Sequence, residues 1–289
     1  MALTSFSLYN DLMSIFEAVI LGIVQGLTEF LPVSSSGHLV LLQKAFNIDQ
    51  PGLFFDTMLH AGTLVAVFIV LRKDIWELLK KPLQKLTWFL ILATIPAVIA
   101  ALTFGDAIEE IFESAKFLGF CFLFTTVILI AAELLSRRAV EEEQIEVNDE
   151  KAFLKTEKTM RWIDALIIGI MQAIAIPPGI SRSGATISGA LFCKLNRDLA
   201  ARFSFLLSIP AILGALVLQS KDLVKSGFSE SVNIPAVIAG TISAAVVGFF
   251  AVKFMLKIIR EKSLFGFAVY TGILGALVLI DQFITHLVF

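Results

Sequence analysis

The sequence predicts an all-α integral membrane protein of two inverted-topology repeats, each a re-entrant helix hairpin followed by three transmembrane helices. Three observations indicate this fold class. The 289-residue chain is 57% hydrophobic and only 17% charged, whereas apolar residues make up about 45–50% of soluble domains. Its charges cluster between apolar stretches that approach the roughly 20 residues a spanning helix needs. Two further apolar regions are interrupted, and their sequences match each other.

Six uninterrupted apolar stretches are predicted as transmembrane helices. They cover residues 54–71, 86–104, 116–136, 202–219, 235–256 and 264 to about 288. A charged stretch at 137–160 separates the repeats and is expected to be a solvated cytoplasmic linker. We therefore expect one membrane domain, with a first repeat over 1–136 and a second over 161–289.

The interrupted regions are 14–46 and 162–195. The first is broken at Leu31-Pro32-Val33-Ser34-Ser35-Ser36-Gly37 and the second at Pro177-Pro178-Gly179-Ile180-Ser181-Arg182-Ser183-Gly184. Proline removes a helical donor and glycine loosens the backbone, so each region should form two short helices around an irregular turn. Irregular backbone at membrane depth persists only where protein or a wet cavity satisfies its polar groups. Both breaks are therefore candidate polar sites.

The two interrupted regions match at a constant offset of 147 residues. Gly22-Ile23-Val24-Gln25 aligns with Gly169-Ile170-Met171-Gln172, and the same offset pairs Ser34, Ser36 and Gly37 with Ser181, Ser183 and Gly184. Polar residues that match are harder to obtain by chance than apolar ones. The pattern indicates an internal duplication.

Basic residues predict the orientation in the membrane. Most Lys and Arg residues fall in loops on one side of the predicted spans, and the other side carries only Lys44, Lys116, Lys221 and Lys225. By the positive-inside rule the richer side is cytoplasmic. This assignment requires the first interrupted region to dip in from outside and the second from the cytoplasm. In transporters, such inverted repeats place a site near the midplane.

The first break concentrates polar residues that could carry chemistry. Gln25 and Glu29 are four residues apart and share a helix face, and a carboxylate in apolar surroundings is a functional candidate. A carboxylate at the headgroup level is the alternative. Ser34, Ser35 and Ser36 follow, and then His38, which with a nearby Glu and hydroxyls could act as acid, base or nucleophile.

The second break carries Arg182, a basic residue outside the loop clusters. Its planar guanidinium suits phosphate, and Ser181, Ser183 and Thr186 surround it in sequence. Gly179 and Gly184 could let backbone N–H groups approach an oxyanion near a helix N-terminus. The alternative is a structural Arg182–Glu29 pair, which would leave the hydroxyls unexplained.

Taken together, the breaks predict a membrane site for a phosphate-bearing substrate. An acidic residue beside phosphate groups also favours a divalent cation, magnesium or calcium, with Glu29 as a ligand. The net charge of −2 gives no indication of nucleic-acid binding. These residues alone leave hydrolysis and transport open.

The two motifs identify a family. The run from Gln25 to His38 resembles the glutamate-rich motif of undecaprenyl-pyrophosphate phosphatases, also called bacitracin-resistance proteins, and the run from Pro178 to Thr186 resembles their Pro-Gly-x-Ser-Arg-Ser-x-x-Thr motif. Many members carry Glu at the position of Gln25. The similarity extends over nearly the whole chain, including the inverted repeat.

This resemblance implies hydrolysis of undecaprenyl pyrophosphate to undecaprenyl phosphate and inorganic phosphate, which recycles the peptidoglycan lipid carrier and confers bacitracin resistance. It implies that Arg182 clamps the pyrophosphate, that Ser181, Ser183 and Thr186 line that pocket, and that Glu29 binds the cation or acts as base. His38 and Ser35 compete for the nucleophilic or proton-transfer role. We favour His38, because imidazole titrates near neutral pH while serine needs a base.

The expected setting is a bacterial plasma membrane, with the site opening to the extracytoplasmic side and a homodimer compatible with the many spans. The rival interpretation is a transporter or flippase for a lipid phosphate or small anion, since inverted repeats with re-entrant hairpins occur in transporters. A carrier needs binding groups but no nucleophile or base.

Overall fold

The computed structural model of the chain describes residues 13–46, 48, 52–145, 154–226 and 233–289. Regular secondary structure in these ranges is helical, apart from one bridge between Lys155 and Leu195. The helices are α1 (Ile15–Thr28), α2 (Ser35–Ala45), α3 (Gly52–Val70), α4 (Arg72–Lys80), α5 (Lys85–Ser114), α6 (Leu118–Ile145), α7 (Trp162–Ile174), α8 (Arg182–Phe192), α9 (Arg197–Ser226), α10 (Ile234–Glu261) and α11 (Phe265–Ile280), followed by a π-helical turn at Asp281–Thr285.

Five helices in the described ranges are long and apolar enough to cross a membrane. The qualifying segments are Lys85–Gly105, Leu118–Val140, Arg197–Val217, Ile234–Glu261 and Phe265–Thr285. A sixth span is formed by α3 if it is taken together with α4, which bends away from it by 78°. Large apolar side chains such as Leu102, Val127 and Phe250 are exposed on these helices, as expected for surfaces that face lipid. The predicted all-helical membrane class is confirmed, and each predicted span corresponds to a helix.

Both interrupted regions form two short helices around an irregular turn, as predicted. α1 and α2 are separated by the first break, and α7 and α8 by the second. The same position caps the second helix of each pair. Ser34 accepts a hydrogen bond from the N–H of Gly37 at 3.3 Å, and Ser181 accepts one from the N–H of Gly184 at 3.0 Å. A serine N-cap satisfies a donor that the helix start leaves free.

Helix bounds repeat at the offset of 147 residues well beyond the two motifs. Adding the offset to the first residues of α1, α2 and α6 gives the first residues of α7, α8 and α11, and adding it to the last residue of α5 gives that of α10. Close helix–helix contacts repeat as well: a contact between a residue of the first half and one of the second recurs between their equivalents in the opposite halves. Gly22 lies against Gly240, and Gly169, the equivalent of Gly22, lies against Ala93, the equivalent of Gly240. This exchange supports the duplication.

The predicted linker begins as a continuation of a span. α6 is helical to Ile145, so the first part of the 137–160 stretch prolongs the helix, and residues 146–153 lie outside the described ranges. The end of the stretch pairs with the loop after α8: the N–H of Lys155 donates to the Lys194 carbonyl at 2.8 Å, and that of Asn196 donates to the Lys155 carbonyl at 2.9 Å. These bonds tie the start of the second half to the end of its own hairpin.

Glycine at the α1–α10 crossing sets how closely these helices approach. A Cβ added at Gly22 would overlap the Gly240 carbonyl, and overpacking of this kind costs about 1–3 kcal/mol. We expect Gly22→Leu to lower the midpoint of thermal unfolding in detergent. Gly266→Leu is the control, because no described atom lies within 4 Å of its Cβ position. Equal midpoints for the two variants would contradict this packing.

Candidate active site

The two breaks meet and bond directly to each other. The N–H of Gly179 donates to Ser34 Oγ at 3.1 Å, and Ser183 Oγ donates to the Leu31 carbonyl at 2.9 Å. Gly37 approaches Gly179, and its equivalent Gly184 approaches Pro32. Side chains would obstruct the first of these approaches, because a Cβ at Gly37 would lie 2.9 Å from the Gly179 Cα. Each break therefore satisfies polar backbone of the other.

A buried ion pair joins the two breaks. Arg182 Nη2 donates to Glu29 Oε1, and the side chains are 22% and 3% exposed. This is the pairing that the sequence left as an alternative, and it brings the predicted carboxylate and guanidinium together. Arg182 Nη1 is buried and has no hydrogen-bond partner among the described residues. The guanidinium thus retains a donor for a further anion.

Three other side chains approach Oε2, the second carboxylate oxygen of Glu29. Ser35 Oγ donates to Oε2 at 2.5 Å and Gln25 Nε2 donates to it at 3.0 Å. His60 Nε2, from α3, lies 3.5 Å from the same oxygen. Gln25 and Glu29 thus share a helix face as predicted. The serine hydroxyl and the carboxylate form a pair of the kind in which a base activates a nucleophile.

His38 points to a different neighbour. Its Nδ1 lies 2.6 Å from the Ser34 carbonyl and its Nε2 lies 2.7 Å from the Tyr270 hydroxyl. A carbonyl only accepts, so Nδ1 carries the proton, and the neutral ring then accepts from Tyr270 through Nε2. The edge of Phe122 covers the ring, with centroids 5.6 Å apart. Both nitrogens of His38 are therefore engaged, and the ring holds Ser34 in its positive-φ conformation, φ 70°.

A cavity of about 850 Å³ opens beside the ion pair. Its polar lining includes five predicted site residues: Glu29, Ser34, Ser35, Ser181 and Arg182. The remaining wall is largely apolar and comes from α5, α7 and α9. A mostly apolar pocket with a few converging polar groups is typical of a ligand site, and its volume suits a ligand with a large apolar portion.

Six predicted site residues do not line this cavity in the described structure; they are Gln25, His38, Gly179, Ser183, Gly184 and Thr186. Thr186 Oγ1 donates to the Arg182 carbonyl at 2.8 Å and pairs with Ser204 at 2.6 Å, so it supports the backbone of the arginine. The expectation that N–H groups of Gly179 and Gly184 bind an oxyanion stays a prediction. In this structure both N–H groups donate to serine hydroxyls: Gly179 bonds to Ser34 of the other break, and Gly184 bonds to Ser181, the N-cap of its own helix.

Polar residues outside the predicted set also reach the site, among them His60, Asp56 and Tyr270. His60 and Asp56 lie on one face of α3 and line the cavity; His60 Nδ1 donates to the Asp56 carbonyl at 2.7 Å, and the Asp56 carboxylate accepts from Gln43 at 2.8 Å. Polar residues spaced by four in an apolar span were the available signal. Tyr270, on α11, reaches the site through His38, and this contact has no local sequence signal.

No group of three or more His, Cys, Asp or Glu side chains that could hold a metal ion occurs among the described residues. Magnesium, however, is commonly held by one or two carboxylates together with substrate phosphates. Glu29 and Asp56 line one cavity and fit that second arrangement. The donor set therefore suits a cation that enters with a phosphorylated ligand.

The chain is similar over most of its length to proteins of one family. Residues 18–277 match the family described as "Bacitracin resistance protein BacA". An undecaprenyl-diphosphatase of Carboxydothermus hydrogenoformans is 45% identical over 271 residues, which covers 93% of this chain and 98% of that protein. Undecaprenyl-diphosphatase 3 of Bacillus cereus is 46% identical over 271 residues, 94% of this chain and 98% of that protein. An undecaprenyl-diphosphatase of Halothermothrix orenii is 41% identical over 270 residues, with 93% and 98% covered.

The Glu29–Arg182 pair predicts a specific pattern of stability. Arg182→Met leaves a buried carboxylate without its cation, which costs roughly 3–5 kcal/mol for a fully buried pair and less here because Arg182 is 22% exposed. We expect a lower midpoint of thermal unfolding for this variant. Glu29→Gln combined with Arg182→Met should regain most of the loss, because no uncompensated charge remains. A double variant no more stable than Arg182→Met would show that the pair is not the source of the effect.

Proposed function

This chain belongs to the BacA family of bacitracin resistance proteins, and from that membership we propose that it hydrolyses undecaprenyl pyrophosphate to undecaprenyl phosphate and inorganic phosphate. The reaction recycles the lipid carrier of cell-wall synthesis and accounts for bacitracin resistance. One observation carries the proposal: the Ser35 hydroxyl donates to Glu29 at 2.5 Å, beside Arg182, in one large cavity.

Arg182 binds the pyrophosphate. Its unpaired Nη1 donates to the first phosphate oxygen, and the stronger negative charge of the substrate draws Nη2 away from Glu29. Glu29 Oε1 is then released by Arg182, while Glu29 Oε2 remains the acceptor of the Ser35 hydroxyl. Substrate binding thus switches Arg182 from a partner of the carboxylate to a clamp on the phosphates. In phosphoryl transfer, positioning and charge neutralisation of this kind supply most of the catalysis.

Ser35 carries out the attack. Its Oγ–H proton passes to Glu29 Oε2 while Oγ bonds to the terminal phosphorus, and the bond from that phosphorus to the bridging oxygen breaks. The leaving group is undecaprenyl phosphate, which takes the serine proton from Glu29 as it departs. Water then attacks the phosphoserine and gives a proton to the deprotonated Glu29. The bond from phosphorus to Oγ breaks, Glu29 returns that proton to Ser35 Oγ, and inorganic phosphate is released. The 2.5 Å contact supports the first proton transfer without rearrangement of either group.

The sequence favoured His38 for this role, but the contacts support Ser35. Both His38 nitrogens are engaged, one with the Ser34 carbonyl and one with Tyr270. Ser35, by contrast, lines the cavity and has its base in place. We assign His38 the positioning of the Ser34–Ser35 backbone.

We further propose that magnesium or calcium accompanies the substrate, held by its phosphate oxygens with Glu29 and Asp56. The cation supplies additional neutralisation of phosphate charge when bound. A bound cation also explains why two carboxylates line a cavity that takes an anionic ligand, since without a cation the carboxylates would repel the phosphates.

For the setting, we propose inverted repeats in a bacterial plasma membrane, with the site open to the extracytoplasmic side. The exchanged contacts of Gly22 with Gly240 and Gly169 with Ala93 support a two-fold relation between the halves. The distribution of Lys and Arg supports the orientation. The homodimer stays a prediction.

Transport of a lipid phosphate is the second candidate, because a repeat-built cavity at membrane depth is also the architecture of carriers. The Ser35–Glu29 contact favours hydrolysis, since a carrier has no need of a nucleophile with its base. A carrier of the same ligand would retain binding and release no phosphate.

Phosphate release tests the proposal directly. Purified protein in detergent should release inorganic phosphate from farnesyl or undecaprenyl pyrophosphate in the presence of magnesium or calcium, and EDTA should abolish the release. Arg182→Ala should reduce kcat/KM by about 10- to 1,000-fold, the scale for removal of one preorganised electrostatic group. Folded protein that binds the lipid but releases no phosphate under any of these conditions would favour the carrier.

Acid stability of a trapped intermediate distinguishes Ser35 from His38. Protein quenched during turnover of substrate labelled at the terminal phosphate should retain label that survives acid and is lost in alkali, as phosphoserine does. Ser35→Ala should lose the label and its turnover, since a nucleophile removed from a catalytic unit costs several orders of magnitude. Label that is lost in acid and survives alkali would assign the attack to His38.

A further inference from the structure

Gln172 lines the cavity and is buried, with 3% of the residue exposed. Neither Nε2 nor Oε1 of its side chain has a hydrogen-bond partner among the described residues. A buried amide without partners is costly, so it persists where another role requires it. Gln172 shares the cavity wall with Ser181 and Arg182, which places it beside the groups proposed to hold phosphate.

The duplication explains why this amide is unpaired. Gln172 is the equivalent of Gln25, and Gln25 Nε2 donates to Glu29, one helical turn further on, at 3.0 Å. The residue equivalent to Glu29 in the second half is Ile176. The acceptor has therefore been replaced by an apolar side chain, while the glutamine that would donate to it remains.

We propose that Gln172 binds the lipid-proximal phosphate of the pyrophosphate, the phosphate that leaves with the isoprenoid chain. This inference rests on the hydrolysis proposed above and names the groups that hold each phosphate. The terminal phosphate is attacked by Ser35 and therefore lies against the first half of the site. The second phosphate lies against the second half, where the Gln172 amide donates to a non-bridging oxygen and stabilises the charge that develops on the leaving group.

The surroundings of Gln172 fit the ester side of the substrate. Ile176 and Ala175 line the cavity next to it, and the wall continues with Ala97 and Val98 of α5 and Leu213 of α9. An isoprenoid chain attached to the second phosphate has apolar contacts there, which a carboxylate in place of Ile176 would disrupt. Glu29 in the first half and Ile176 at the equivalent position of the second half thus distinguish an acidic, catalytic half from an apolar, lipid-binding half.

The test uses the two products as ligands, because each retains a different phosphate. Thermal unfolding of Gln172→Met and wild-type protein is measured with increasing farnesyl phosphate and, separately, with inorganic phosphate; a ligand that binds the folded state raises the midpoint. Gln172→Met should bind farnesyl phosphate about 10- to 100-fold more weakly, the loss of one hydrogen bond to a charged group, and inorganic phosphate within about twofold of wild type. Its kcat/KM for farnesyl pyrophosphate should fall by a similar 10- to 100-fold.

Two further measurements separate binding from structure. Without ligand, Gln172→Met should unfold at the same temperature as wild type or higher, because the variant removes an unpaired buried amide. Gln282→Met is the matched control: Gln282 Nε2 donates to the Ala115 carbonyl at 2.8 Å and its Oε1 is unpaired among described groups, but it does not line the cavity. This control should leave both affinities unchanged. If Gln172→Met does not fold, Gln172→Leu replaces it.

Several outcomes would overturn the inference. Unchanged affinity for farnesyl phosphate, or equal weakening for both phosphates, would show that Gln172 does not contact the lipid-proximal phosphate. A lower unfolding temperature with a uniform loss of activity would assign it a structural role. Failure of the hydrolysis proposal is distinguishable, since wild-type protein would then release no phosphate while the two affinities still report on Gln172.

Discussion

A helix that breaks at membrane depth leaves backbone donors and acceptors that lipid cannot satisfy. In this protein the two breaks satisfy each other. Ser34 accepts from the N–H of Gly179, and the Leu31 carbonyl accepts from Ser183. This mutual requirement holds the ends of α1, α2, α7 and α8 at one place. It also explains the residue types at the turns, where serine caps the helices and glycine permits the close approach.

Helix bounds in the two halves coincide at the offset of 147 residues, and several equivalent positions carry unlike side chains. Ser35 is the first residue of α2, and its equivalent, Arg182, is the first residue of α8. One half therefore presents a hydroxyl where the other presents a guanidinium. Glu29 and Ile176 form a second unlike pair. A lipid pyrophosphate has two similar phosphates, but only one of them carries the isoprenoid chain. Two similar halves with unlike side chains match that combination.

The groups that stabilise the Glu29 carboxylate in the ligand-free protein are also the groups of the candidate active site. The carboxylate is almost fully buried and is stabilised by Arg182, Gln25 and Ser35 together. A buried carboxylate without such partners would be strongly destabilised. The same contacts hold the hydroxyl and guanidinium in position for an anionic ligand, so the interactions that stabilise the folded protein also preorganise the site.

The sequence by itself determined the all-helical membrane class, the spans and the two interrupted helices, because hydropathy and helix-breaking residues are local properties of the chain. It also identified Glu29, Ser35 and Arg182 as partners in one site. Only the tertiary structure decided which neighbour each group takes. His38 bonds to Tyr270, His60 approaches Glu29, and the glycine N–H groups bond to serines. These contacts join residues distant in sequence, and their direction depends on how the helices cross, which no local pattern encodes.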